Sequence, residues 1–170
     1  MISLVALNLR VSRNSGEQTL YNMAKIRIET VSEFFSYDMR YMGYGVQSTF
    51  PILEADSNSI RFLVHYDGDE NPTEIQWTFD TDASTSYSNP SVRPLLRTVD
   101  GVEDEVGVGI TQFQLVYLDE NRDVLDPGAF ALSEIRQIRL NLVAESVQGY
   151  GEDRFGRSTW TSEITPFSLN

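Results

Sequence analysis

Cysteine is absent from this 170-residue chain. Its absence excludes disulfides, zinc–thiolate sites and thiol catalysis. It leaves the compartment open, because many exported proteins also lack cysteine. Histidine occurs once, at His65. Sites that need two histidines from this chain are therefore excluded, and a histidine-based triad has one candidate. Lysine also occurs once, at Lys25, against twelve arginines. A Walker-type phosphate-binding lysine is missing, and Gly107 and Gly109 do not complete G-x-G-x-x-G. Basic charge is scarce as a whole: 13 Lys and Arg stand against 25 Asp and Glu, a formal net charge of −12. Such a surface repels phosphates and disfavours nucleic acid as a partner. It is compatible with solubility, cation binding or a basic protein partner. No apolar run approaches the roughly 20 residues of a membrane-spanning helix. The stretch ISLVALNL at 2–9 has no basic start before it and no small-residue cleavage site after it, so it does not read as a signal peptide. It reads either as the first turns of a soluble helix or as the tail of a longer hydrophobic one.

What the chain does have is one long helical signal, at residues 16–45. Leu20, Ala24, Ile28, Val31, Phe35, Met39 and Met42 recur at steps of three and four, an apolar stripe down one helical face. Ser15 is placed as an N-cap with Gln18 as its capping-box partner, and Gly43 and Gly45 mark the C-terminal stop. From 17 to 42 the helix would be about 39 Å long.

Beyond it the pattern changes to period two. About five to seven strands are expected, from the spans 51–55, 60–66, 73–79, 95–99, 110–118, 138–146 and 157–165, with a short helical lead-in at 133–137. The dense turn signal DGDENP at 67–72 joins two of them into an antiparallel hairpin. Residues 80–94 read as a polar loop, and VEDEVGVG at 102–109 as an acidic connection. The expected architecture is a single domain, 1–170. It is α+β: a long N-terminal helical spine at 1–45 packed on the antiparallel β-sheet of a β-rich region at 46–170.

Chemistry is sparse. His65 stands on a strand with no G-x-S-x-G elbow to partner it, so a half-exposed strand histidine is favoured over a catalytic one. Asp67, Asp69 and Asn71 have the one-three-five oxygen spacing of a calcium loop. Pro72 stands where the loop needs glycine and Thr78 where it needs a bidentate glutamate. Asp119, Asn121 and Asp123 fail in the same way. Plain turns are the favoured reading of both, with Asp67, Asp69 and Asn71 kept as a weak Ca²⁺ candidate and no other cofactor expected. The acidic run Glu103-Asp104-Glu105 reads as a solvated loop. The aromatics, among them Tyr37, Tyr41, Tyr44, Trp77 and Trp160, read as core and rim of a sheet rather than as an exposed glycan- or partner-binding cluster. No nucleophile–base pair or metal cluster can be named, so no enzyme is expected.

The helix end Asp38-Met39-Arg40-Tyr41-Met42-Gly43-Tyr44 resembles the D-x-R-x-x-G-Y/F helix end of prepilin-type proteins. More narrowly it is similar to W-type minor pilins and to the J-type minor pseudopilins of type II secretion. ILEADSNSIRFLVHYDGD resembles their first hairpin, ITQFQLVYLDENRDVL a later segment, and IRQIRLNLVAES with STWTSEITPFSLN their closing strands. The leader, cleavage-site glycine, most of the hydrophobic helix and its glutamate, which carry that family's cleavage and assembly, have no counterpart here. Under this reading ISLVAL is the tail of that helix. The resemblance implies a non-enzymatic structural subunit of a type IV pilus or secretion filament in a bacterial cell envelope, inner membrane and periplasm or extracellular pilus. It would act in assembly, priming or a tip complex with other pilin or pseudopilin subunits as partners, and touch the membrane only through the helix absent from this chain. The rival expectation is a soluble β-rich binding module for a glycan or Ca²⁺.

Overall fold

A computed structural model describes residues 4–46, 50–65, 71–149 and 154–169, with helical side chains from Ser15 onward. The helix α1 (Leu4–Tyr41) leads into seven strands: β1 (Ile52–Ala55), β2 (Ser59–Val64), β3 (Thr73–Phe79), β4 (Arg93–Val99), β5 (Val102–Leu118), β6 (Gln137–Glu145) and β7 (Arg157–Ile164). Short 3₁₀ turns lie at Leu132–Glu134 and Phe167–Leu169. The strands form one sheet in chain order, β1-β2-β3-β4-β5-β6-β7, every neighbouring pair antiparallel.

This corrects the expected α+β architecture built on a helical spine. The sheet is a seven-stranded half-barrel, and more of the described residues lie in its strands than in the helix, so the fold is β-rich. Residues 102–109, read from the sequence as an acidic connection, belong to β5, a 17-residue strand. Their exposed Glu103, Asp104 and Glu105 hid the strand, since no apolar alternation marks them. Pairing identifies it instead: Thr98 faces Glu103 and Arg97 faces Asp104. The hairpin between β4 and β5 is closed by Asp100 and Gly101, both at positive φ (48° and 83°), the backbone that a two-residue turn of this hand requires. Register shifts opposite Arg93/Leu95 and opposite Ile110/Gln112 bend β5, so that its first half serves β4 and its second half β6.

The helix fills the concave side. Ala24, Ile28, Val31, Phe35, Met39 and Met42 are buried, and Leu20 is half-buried. Phe35 meets Trp77 and Phe113 edge-on at centroid distances of 5.4 and 5.5 Å, a favoured aromatic geometry. The expected N-cap at Ser15 is also corrected. Residue 15 lies inside α1, and its carbonyl accepts the Thr19 hydroxyl at 2.9 Å. The stop is where the glycines put it: α1 ends at Tyr41, and Gly43 and Gly45 take φ of 72° and 71°.

The end of α1 is pinned to the middle of the sheet. Asp38 is buried, and its carboxylate accepts Trp77 Nε1 at 2.8 Å and two bonds from Arg97, at 2.7 and 3.0 Å. A buried carboxylate needs such partners to offset its lost hydration. At the other end of the contact, a Cβ on Gly156 would collide with the backbone of Leu20 and Tyr21, so only glycine lets the entry to β7 lie against α1.

Candidate functional site

The solvent side of α1 is not polar throughout. Met23, Ile26, Phe34 and Tyr37 are 42%, 62%, 56% and 52% exposed. At 100° per residue they fall on one face, and half-buried Tyr41 continues it. This second stripe lies well over 90° around the helix from the buried one. Tyr37 and Tyr41 pack at 4.6 Å, and Tyr41 meets Tyr44 and Phe167 at 5.9 and 6.4 Å, so the helix end carries an aromatic cluster.

Beside the stripe runs an open groove of about 580 Å³, between α1 and the β7 side of the sheet. Tyr37, Tyr41, Trp160 and Phe167 give it apolar walls, and Glu33 and Arg40 charge it with both signs. Ser32 and Ser36 add hydroxyls to its lining.

The convex face of the sheet is a polar surface tied by arginines. Arg61 donates to Glu54 at 3.1 Å and to Glu74 at 3.2 Å. Glu163 accepts from Arg122 and from Arg139, and these two hydrogen bonds, the Arg122 one first, hold its carboxyl below the usual range. On the concave side, Tyr117 donates its hydroxyl to the carbonyls of Asp56 at 2.8 Å and Ser59 at 3.2 Å. Burial, and after it the charge of Asp56, raise that hydroxyl above the ordinary tyrosine range.

Of the sequence-derived metal residues, only Asn71 falls among the described ones. Asp67 and Asp69 lie outside the described residues, and Asn71 is exposed. Among the described residues no group of three or more His, Asp or Glu is placed to hold a metal. The second candidate loop is a turn: Asp119 Oδ1 accepts the backbone N–H of Asn121 and of Asp123, each at 2.8 Å. His65 sits half-buried at the end of β2, its backbone N–H donating to Tyr44 O at 2.8 Å and its ring Nδ1 3.3 Å from Gly45 O. It packs against the turn that ends the helix and has a structural place there.

Two features escaped the sequence reading. The outer stripe was legible, since Met23, Ile26, Phe34 and Tyr37 also recur at helical spacing, in a different phase from the chosen one. The Asp38–Arg97 pair spans 59 positions, and its only local sign was an acidic residue at buried phase. No family model, curated protein or solved structure matches the chain.

Proposed function

We propose that this chain is a structural subunit rather than an enzyme: a minor pilin or pseudopilin of a type IV pilus or type II secretion filament. Its work would be in assembly, priming or a tip complex, in a bacterial cell envelope. It would pack the outer face of α1 against the helices of sister subunits.

The observation that supports this reading is the second apolar stripe. A helix that only covers its own sheet needs one apolar face. This one carries Met23, Ile26, Phe34 and Tyr37 on a face turned to solvent, each more than two-fifths exposed. Apolar surface left exposed in this organised way marks interaction sites. The reading rests on that face and on the resemblance at 38–44. It does not rest on the architecture, which is β-rich. No helix among the described residues is long and apolar enough to cross a membrane, so on this proposal membrane attachment would belong to sequence upstream of Met1.

The test is the genomic DNA upstream of the Met1 codon. The expected result is an in-frame leader ending in glycine, then a Phe-led hydrophobic stretch with a glutamate near its start. An in-frame stop with a ribosome-binding site directly before Met1 would overturn the proposal and favour a free-standing binding module.

A further inference from the structure

The two edges of the sheet are unlike. β1 is four residues long, follows Pro51 and is bulged between Ile52 and Glu54. Short length, proline and bulges are the devices that blunt an edge against pairing. β7 has none of them. It runs eight residues in unbroken register with β6, from Ile138 opposite Ile164 to Glu145 opposite Arg157. Residues 157–164 form no backbone hydrogen bond outside that ladder among the described residues. A regular row of backbone donors and acceptors therefore runs along the free side of β7, beside the aromatic groove. Such a row is a template for another extended strand.

The sequence of β7 says which strand fits. Residues 157–163 read Arg-Ser-Thr-Trp-Thr-Ser-Glu. The five central residues are a palindrome about Trp160, and the two flanking residues carry opposite charge. We propose that two copies of this chain join by antiparallel pairing of their β7 edges about a two-fold axis at Trp160. In that register Arg157 of each copy lies opposite Glu163 of the other. Ser158 meets Ser162, Thr159 meets Thr161, and the two Trp160 rings are neighbours across the axis. A two-fold contact requires a self-complementary patch, and opposite charges, Thr–Thr and aromatic pairs are favourable cross-strand partners. Every position from 157 to 163 satisfies that demand.

Alternation adds a second level of agreement. Arg157, Thr159, Thr161 and Glu163 share the convex face, and Ser158, Trp160 and Ser162 the concave one. The charged pairs thus form in solvent, beside Arg139 and Arg122, which already hold Glu163. A carboxylate has acceptor sites enough for a third donor. Arg157 is only loosely held within its own chain, 3.9 Å from Glu145 and 59% exposed. Each Trp160 stays on the concave side, at the wall of the groove it lines with Tyr37, Tyr41 and Phe167. The product is a continuous sheet across two copies, bordered by the groove that Trp160 shares with Tyr37 of the outer stripe. The inference is carried by the β7 edge and its sequence, not by the filament reading.

The experiment is sedimentation equilibrium of the full 170-residue chain over a wide concentration range, with the single variants Arg157→Glu and Glu163→Arg. The wild type is expected to dimerise. Each variant alone places two like-charge pairs in the contact and should weaken the dimer about tenfold or more. An equimolar mixture of the two variants makes both pairs opposite in sign and should restore association as a heterodimer. That recovery also shows that neither variant is simply unfolded. Three results would each overturn the proposal: a monomeric wild type at every concentration, a dimer indifferent to both substitutions, or a mixture that stays monomeric.

Discussion

Tyr117 has its ring in the core and its hydroxyl bonded to two carbonyls of the turn between β1 and β2, Asp56 O and Ser59 O. The folded state holds that proton above the pH at which the unfolded chain releases it, near 10.0. The contribution is therefore complete below pH ~10 and is lost as pH rises beyond it. The urea midpoint of the wild type should fall between pH 9 and 11 more steeply than that of Tyr117→Phe. At neutral pH the variant should be less stable by about 1 kcal/mol, for the lost hydrogen bonds. Parallel slopes would show that Tyr117 does not carry the alkaline sensitivity. Nothing local in ITQFQLVYL separated this tyrosine from an ordinary strand residue. Its partners lie 61 and 58 positions away.

At the level of elements, α1 and β5 show opposite degrees of legibility. The buried stripe of α1 could be read directly, because helical periodicity is a local property and the sequence repeats it for six turns. What periodicity did not reveal was that the same helix carries two apolar faces. Phe34 and Phe35 are adjacent in sequence and about 100° apart on the helix; one is 56% exposed and the other fully buried. Phe35→Ala should cost about 3–5 kcal/mol in chemical denaturation. Phe34→Ala should stay within about 0.5 kcal/mol. Similar losses from both would mean that the two faces are wrongly assigned. β5 was half hidden. Its second half alternates, but its first half is held by pairing with β4 and carries charges on a solvated hairpin, so composition there resembled a loop. That half, added to the whole, turns an expected helix-led domain into a sheet-led one.

For the whole molecule, the decisive contact is the one that fixes helix to sheet. Asp38 comes from α1, Trp77 from β3 and Arg97 from β4, and the three meet under the curve of the half-barrel. Removing one partner of a buried ion pair leaves a charge without compensation. Asp38 is 3% exposed and Arg97 26%, so Arg97→Ala should cost about 3 kcal/mol, the lower end of the range for breaking a buried pair. Amide exchange should quicken over residues 35–42 as the helix end loosens. Unchanged exchange there would show that the apolar stripe alone holds the helix. Asp38 was visible in the sequence as a family-like marker at the helix end. Its task became clear only when the sheet supplied Trp77 and Arg97.

The sequence by itself determined what depends on neighbours within a few positions or on totals. It set the helix and its stop at Gly43, the alternating strands, the turn residues, the acidic balance, and the exclusion of thiol and two-histidine chemistry. The tertiary structure decided what depends on residues far apart in the chain. It decided that the strands close into one seven-stranded half-barrel, that residues 102–109 pair rather than loop, and that one apolar face of α1 is buried while the other is bare. The reason is physical: periodicity and turn chemistry are local, whereas burial and strand partnership are settled by segments that meet only when the chain folds.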